Sequence, residues 1–215
     1  MVQNMQTMTI PSRTAIDSEA LGAFAHDVRT PLNAVSMVVE VARRMGTGGE
    51  LQLDEELTDM LMSSVKEIER LVSDLQDVSR IERGKQRMAP GPARLREVLA
   101  DAAEIVRKDI VLVCDGVSGE GPWDRDRLGR MIADLARSAN RCGEGNGEVS
   151  IRSEETRDTT VIVVTSGSPG NEPRAITSEA GWGFFRSRAL TQAMGGTVEA
   201  TRTERYMSIR MSLPR

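Results

Sequence analysis

The first part of the chain carries apolar residues at steps that alternate between three and four. This alternation runs from Leu21 to Met45, with one gap at Pro31, and returns from Leu57 to about Gly84. Such heptad spacing places apolar side chains along one side of a helix and is typical of helices that pack together. It predicts two antiparallel helices joined by a short loop at residues 46–49, with Asp54 as the N-cap of the second helix.

A single hairpin of two helices gives each apolar seam only one partner. We therefore expect two copies of the chain to form a homodimer with a four-helix bundle, which buries both sides of the hairpin. We assign this domain to residues 15–88. The residues expected at the dimer seam are Leu21, Phe24, Val28 and Val35 in the first helix and Leu61, Ile68, Leu71 and Leu75 in the second.

The hydrophobic pattern changes after Ala89–Pro92, a segment with two prolines and a glycine that predicts a linker. Beyond it, helical periodicity alternates with short strand-like runs. This order predicts an α/β sandwich over residues 93–215, with its helices on one face of the sheet, and an α+β class for the whole chain. Helices are predicted at Leu95–Ile105, Asp124–Cys142 and Trp182–Met194, and strands at Ile110–Cys114, Glu148–Ser153, Thr160–Thr165, Thr197–Arg202 and Met207–Leu213.

Composition narrows the class of protein. The 215 residues are 39% hydrophobic and 28% charged, which is typical of a globular chain. The net charge of −4 argues against a nucleic-acid partner. The sequence has no apolar run long enough to span a membrane and no signal-peptide pattern. Two cysteines, Cys114 and Cys142, are too few for a disulfide framework or a zinc site, so we expect a cytoplasmic protein that binds no metal.

The single histidine of the chain, His26, is the strongest candidate for chemistry. It lies two residues from both Phe24 and Val28, so it leaves the apolar seam and is expected to face solvent. An exposed neutral imidazole is a competent nucleophile for phosphoryl transfer. Asp27 can accept the other ring proton and fix the tautomer. Thr30 stands one helical turn further on, close enough for its hydroxyl to meet a bound phosphoryl group.

The run from His26 to Asn33, HDVRTPLN, resembles the H-box of bacterial sensor histidine kinases, whose pattern is roughly H-(E/D)-x-(R/K)-(T/N)-P-L. The resemblance extends over nearly the whole chain. It implies that the hairpin is a dimerisation and histidine-phosphotransfer domain and that residues 93–213 correspond to the catalytic ATPase domain. It also implies docking of a response-regulator receiver domain beside His26. The partner-binding candidates continue the stripe of His26 and Thr30 and are Asn33, Met37 and Glu40.

Three nucleotide motifs of that family are altered in the second domain. The family's N-x-x-x-N-A motif corresponds to the run that begins at Asp134, where Ser138 replaces the magnesium-binding asparagine. A serine hydroxyl is a poorer ligand for a hard cation than an amide oxygen. In the D-x-G-x-G motif, Thr165 replaces the adenine-binding aspartate, Gly167 is retained and Pro169 replaces the second glycine. Both changes weaken the contacts that the family makes with a nucleotide.

The third motif, G-x-G-x-G, is the one that cradles phosphates at a helix N-terminus in the family. Here Gly181 and Gly183 are retained, but Glu179 replaces the first glycine and places a negative charge near the expected phosphates. Together the three motifs predict a degenerate nucleotide site.

The sequence therefore favours a histidine phosphotransferase that relays a phosphoryl group between receiver aspartates through His26 without ATP. Such a protein needs no cofactor of its own, since Mg²⁺ is expected only in the partner receiver domain. Two alternatives stay open. One is a soluble histidine kinase that phosphorylates His26 with ATP, and the other is a non-catalytic pseudokinase that regulates receivers by binding. ATP binding separates the first two hypotheses, and function that survives His26→Ala favours the third.

Overall fold

A computed structural model describes residues 16–46, 51–85, 88–170, 172 and 174–215. The N-terminal hairpin consists of helix α1, Ser18–Met45, and helix α2, Glu55–Glu82. Asp54 Oδ1 accepts a hydrogen bond from the backbone N–H of Leu57 at 2.8 Å, which confirms the predicted N-cap. Pro31 lies inside α1 and does not end the helix. Most of the predicted loop lies outside the described residues.

The apolar seam predicted for the hairpin divides between two neighbouring faces of each helix. The face inside the hairpin includes Pro31, Val38 and Ala42 of α1 and Leu71 and Val78 of α2, all of them buried. A helix that touches two neighbours carries two adjacent stripes, and alternating steps of three and four fit either stripe. The prediction of one shared seam was therefore wrong. A second, exposed face carries Leu21, Leu32 and Val39 on α1 and Val65 and Val72 on α2.

The described residues of the second domain form seven strands and three α-helices. The elements are β1 Gly91–Arg94, α3 Leu95–Val106, β2 Val111–Cys114, β3 Glu120–Trp123, α4 Arg125–Cys142, β4 Glu148–Glu155, β5 Thr159–Gly167, a 3₁₀ turn at Ser178–Ala180, α5 Trp182–Ala193, β6 Thr197–Arg202 and β7 Tyr206–Pro214. Five of the strands form a sheet with the order β2-β4-β5-β7-β6. Strand β2 pairs with β4 in parallel, and the other pairs are antiparallel. A separate two-stranded ribbon joins β1 to β3.

One face of the sheet forms the core with the helices. Ile162 and Val164 of β5 and Ile209 and Met211 of β7 are buried in a cluster that also contains apolar residues of α3, α4 and α5. The opposite face carries polar side chains, such as Arg210, which lies opposite Val163. The same cluster includes Ala20, Ala23, Leu71 and Val78 of the hairpin. The apolar core is therefore continuous between the two domains.

The segment predicted as a linker is partly a strand. Gly91 and Pro92 belong to β1, where they pair with Trp123 and Pro122 of β3. Neither β1 nor β3 was predicted, because four residues that include glycine and proline show no alternation of apolar and polar positions. None of the helices in the described part of the chain has the length and apolar composition of a membrane span.

Candidate functional site

His26 lies on the exposed side of α1, as its position outside the apolar seam predicts. Its side chain is 66% exposed. The ring nitrogen Nδ1 stands 3.3 Å from Asp27 Oδ1, which is at the long end of hydrogen-bond distance. Among the described residues, this is the one hydrogen-bond contact of the imidazole, and Nε2 makes none.

The carboxylate of Asp27 is shared between His26 and the second domain. Its side chain is only 17% exposed. Oδ1 accepts a hydrogen bond from Arg141 Nη1 at 3.0 Å, and Oδ2 accepts one from the backbone N–H of Trp182 at 2.9 Å. Trp182 is the first residue of α5, so Asp27 satisfies a free N–H group at the positive end of that helix. The sequence predicted the contact with His26 but not the other two.

Further contacts hold α1 against the segment that leads into α5. The rings of Phe24 and Trp182 meet edge to face, with centroids 5.3 Å apart. Glu19 Oε2 accepts a hydrogen bond from the backbone N–H of Ser178 at 3.0 Å. Asp17, the N-cap of α1, forms an ion pair of 2.9 Å with Arg188. The hairpin is thus docked onto the start of α5 over several turns of α1.

A buried ion cluster joins the same domains one layer deeper. Arg186 of α5 is 3% exposed and lies 3.1 Å from Asp74 Oδ1 of α2 and 2.6 Å from Asp134 Oδ2 of α4. Burial raises the pKa of Asp74 to about 6, although Arg186 and Arg70 oppose this effect. This cluster was not predicted from the sequence. Its signal was an acidic residue at an inward heptad position, since Asp74 lies between Leu71 and Val78 on the buried face of α2.

The residues of two degenerate nucleotide motifs lie together and are engaged within the protein. Ser138 is buried, with Oγ 2.7 Å from the carbonyl oxygen of Ala180. Asp134 pairs with Arg186. A Cβ at Gly183 would stand 2.9 Å from Asp134 Cβ, so the two elements pack closely here. Gly181 has a φ of 80°. A Cβ there would collide with the Arg141 guanidinium.

The residues at the D-x-G-x-G motif, Thr165, Gly167 and Pro169, do not lie beside Ser138 and Asp134. Burial alternates along β5 so that Ser166 faces the helices and Thr165 lies on the opposite face of the sheet. Thr165, expected at the position of the family's adenine-binding aspartate, therefore lies on the other side of the sheet from the helices, because β5 continues to Gly167 with this alternation. Gly167 has a φ of 81°, and a Cβ there would collide with a backbone carbonyl. Pro169 lines a separate surface cleft of about 360 Å³. Glu179 forms an ion pair of 2.6 Å with Arg202, which offsets its charge.

Comparison with known proteins identifies the hairpin. Residues 17–84 match the family of the His Kinase A (phospho-acceptor) domain. The hairpin is a His Kinase A domain. The chain is 23% identical over 230 residues to the sensor protein ChvG of Agrobacterium fabrum, covering 93% of this chain and 38% of the relative. It is 26% identical over 204 residues to the signal transduction histidine-protein kinase/phosphatase MprB of Mycolicibacterium smegmatis, covering 90% of this chain and 40% of the relative.

Solved structures share the arrangement of both domains. The histidine kinase AdeS of Acinetobacter baumannii superposes with a TM-score of 0.69 at 20% identity, covering 88% of this chain and 97% of that one. The histidine kinase ThkA, solved in complex with the response regulator TrrA, gives a TM-score of 0.57 at 18% identity and covers 92% of this chain and 61% of that one. The chain therefore has the fold of a sensor histidine kinase core. It spans about two fifths of the length of the curated relatives it matches.

The His Kinase A domain presents the predicted partner stripe to solvent. Asn33, Met37 and Glu40 are all exposed, as are His26 and Thr30. Thr30 also lines a cleft of about 680 Å³ between the His Kinase A domain and α4, to which Asp27 and Arg141 contribute. The described residues contain no cluster of acidic, histidine or cysteine side chains that fits a metal ion.

Proposed function

We propose that this chain carries a phosphoryl group on His26 and relays it between aspartates of response-regulator receiver domains. The proposal is supported by the match to the His Kinase A domain and by the exposed side chain of its one histidine. The stripe of Asn33, Met37 and Glu40 is the proposed docking surface for the receiver. It continues directly from His26 along α1 and carries an exposed methionine, a side chain that adapts well to partner surfaces.

In the proposed reaction, the Nε2 lone pair attacks the phosphorus of a receiver's aspartyl phosphate. A P–N bond forms while the P–O bond breaks, and the receiver carboxylate leaves with the electron pair. The ring keeps its proton on Nδ1 and becomes a phosphorylated imidazolium, whose positive charge the Asp27 carboxylate stabilises. Transfer to a second receiver aspartate reverses these steps and restores neutral His26. Any Mg²⁺ belongs to the receiver.

The finer proposal is that the chain does not use ATP, and one observation carries it. The N-terminus of α5, where related kinases are expected to hold phosphates, donates its Trp182 N–H to Asp27. The neighbouring groups are also engaged, Ser138 with Ala180 and Asp134 with Arg186. The residues present thus do not fit a magnesium–nucleotide complex. These contacts would have to break before a magnesium–nucleotide complex could bind there.

A histidine kinase that uses ATP is the second candidate. The relatives favour it, because they are named as sensor proteins and as a kinase/phosphatase. A further solved histidine kinase, ShkA, was determined in complex with AMPPNP and superposes with a TM-score of 0.57 at 20% identity. In this candidate the α5 N-terminus must be released from Asp27 before a nucleotide binds.

We also propose that the chain is a homodimer and acts in the cytoplasm. On α1, Leu21, Ala25, Val28, Leu32, Val35 and Val39 follow one another at steps of four and three. Three of these, Leu21, Leu32 and Val39, are exposed large apolar residues in a single chain. Burying such a face against its copy is favourable, at roughly 25 cal/mol per Å² of apolar area. Both cysteines are free thiols, which fits a reducing compartment.

The test incubates the full chain with labelled Mg–ATP and, separately, with a panel of receiver domains phosphorylated from labelled acetyl phosphate. We expect acid-labile phosphohistidine from a phosphorylated receiver and none from ATP. His26→Ala is the matched control and is expected to lose all label while it keeps its far-UV circular dichroism spectrum. Label on His26 from ATP supports the kinase instead. Label that survives His26→Ala contradicts both proposals.

A further inference from the structure

Asp27 stands between the phosphoryl-accepting histidine and the second domain, and the contacts on its carboxylate suggest what that domain does. We propose that Arg141, together with the start of α5, is a positioning group that sets the Asp27 carboxylate for its contact with His26. This inference rests on the proposed transfer through His26. It gives the degenerate second domain a role that does not depend on a nucleotide.

The two oxygens of Asp27 are fixed by different elements of the second domain. Arg141 Nη1 donates to Oδ1 at 3.0 Å from the last turn of α4. Trp182 N–H donates to Oδ2 at 2.9 Å from the first turn of α5. These two bonds hold the plane of the carboxylate and leave Oδ1 within 3.3 Å of His26 Nδ1. Without them, the Asp27 side chain would be free to leave His26 for other rotamers.

The approach of Arg141 depends on a glycine retained from the degenerate phosphate-binding motif. Gly181 directly precedes α5 and has a φ of 80°, which L side chains rarely adopt. A Cβ at this position would collide with the guanidinium of Arg141. The same glycine thus permits both the turn into α5 and the close approach of Arg141. This explains the glycine by internal contacts rather than by phosphate binding.

Fixing Asp27 has a direct chemical consequence at the ring. A carboxylate held beside Nδ1 favours the tautomer with its proton on Nδ1, which leaves the Nε2 lone pair free for attack on phosphorus. It also stabilises the imidazolium that forms when Nε2 is phosphorylated. Arg141 touches neither the ring nor, in this proposal, the phosphoryl group, so it acts through Asp27.

The contact is distinct from those that hold the two domains together. The pairs Glu19–Ser178, Asp17–Arg188 and Arg186–Asp74 join the same surfaces without Arg141. Removing the Arg141 side chain should therefore leave the domains docked. It should change the state of His26 rather than the overall fold, and this separates a positioning role from a merely structural one.

The first experiment measures the tautomer of His26 in the full, unphosphorylated chain. Because the chain has one histidine, its imidazole nitrogens give the only such signals in a two-bond ¹H–¹⁵N spectrum. We expect the Nδ1–H tautomer to be dominant in the wild type and its share to fall in Arg141→Ala, with partial recovery in Arg141→Lys. Arg130→Ala is the matched control, since Arg130 is on the same helix and lines the same cleft without contacting Asp27. Wild-type tautomer populations in Arg141→Ala would overturn the inference.

The second experiment measures transfer from a phosphorylated receiver at several receiver concentrations. We expect Arg141→Ala to lower the maximal rate by about tenfold, in line with the loss of a partner that orients a functional histidine, while the KM for the receiver changes little. Gly181→Ala should have the same effect through displacement of Arg141. A maximal rate equal to that of the wild type, despite a changed tautomer, would refute the positioning role. Since the tautomer measurement needs no receiver, its failure is distinguishable from failure of the proposed function.

Discussion

Replacing Arg186 by methionine should destabilise the protein more than almost any surface substitution. Within the described part of the chain, Arg186 is the one cation that lies within ion-pair distance of both Asp74 and Asp134, and all three side chains are buried. Methionine keeps much of the length and apolar stem of arginine but removes the charge and the donors. The variant therefore tests the ion cluster with little change in packing volume.

The expected loss follows from the two carboxylates that stay behind. Removing one partner of a buried ion pair costs about 3–5 kcal/mol, because a buried charge loses its compensation. Arg70 stays 2.8 Å from Asp74 and Arg137 stays 3.5 Å from Asp134, so the lower end of this range is expected. Burial already raises the pKa of Asp74 to about 6, with the nearby Asp134 adding to that effect. Without Arg186, the pKa of Asp74 should rise further. The folded state then holds a proton that the unfolded state, with an aspartate pKa near about 3.9, has lost, so stability falls as the pH rises through this range.

Urea denaturation followed by circular dichroism measures the effect, at about pH 7.5 and about pH 5. We expect the loss in Arg186→Met to lie at the lower end of about 3–5 kcal/mol at the higher pH and to be smaller at the lower pH, where Asp74 is protonated in the folded state. Arg107→Met is the control, because Arg107 pairs with Glu104 on the surface and should cost less than about 1 kcal/mol. A loss below about 1 kcal/mol in Arg186→Met, or an equal loss at both pH values, would refute this reasoning.

Two further predictions concern the dimer and a strained turn. Val72→Asp places a charge on the exposed apolar face of α2. It should lower the mass measured by light scattering to that of a monomer while the helix content is retained. An unchanged mass would exclude this face as the dimer contact. Gly167→Ala should lower the free energy of unfolding by about 1–3 kcal/mol, because alanine is strained at a φ of 81° and its Cβ would meet the Arg205 carbonyl. An unchanged free energy of unfolding in urea denaturation would contradict the turn geometry.

The elements with strong periodicity were predictable from the sequence, and the reason is burial on one face. Helix α4 was predicted at Asp124–Cys142 and observed at Arg125–Cys142, with Asp124 as its N-cap. The strand β6 was predicted with the observed bounds. Periodicity does not state which neighbour buries a stripe, and this is why α1 and α2 were given one seam although they carry two.

The site was predictable only as far as local spacing determines it. The exposure of His26 follows from its distance to the residues of the seam. The bonds from Arg141 and Trp182 to Asp27 span 114 and 155 residues of sequence, and no local pattern encodes such contacts. The side of the sheet on which Thr165 lies was not predicted, for a related reason. A motif fixes the order of residues but not the face of the strand on which they lie.

The two candidate functions predict different effects on nucleotide affinity when the hydrogen bond between Trp182 N–H and Asp27 is removed. Asp27→Ala removes this bond and tests them directly. If the chain is a kinase, Asp27 competes with nucleotide phosphates for the α5 N-terminus, so its removal should increase the affinity for Mg–ATP. If the nucleotide site is lost, the contacts of Ser138 with Ala180 and of Arg186 with Asp134 still close it, and affinity stays undetectable.

Calorimetric titration of both chains with Mg–ATP separates these outcomes. We expect no binding by the wild type or by Asp27→Ala, because freeing one backbone N–H does not replace the magnesium-binding asparagine at the position of Ser138, and Ser138 stays bonded to Ala180. Asp124→Ala is the matched control, since it removes an N-cap aspartate from α4 rather than from the α5 N-terminus. A dissociation constant on the order of ten micromolar in Asp27→Ala, with none measurable in the wild type, would mean that Asp27 is an internal competitor of ATP, and the kinase would then be the better proposal.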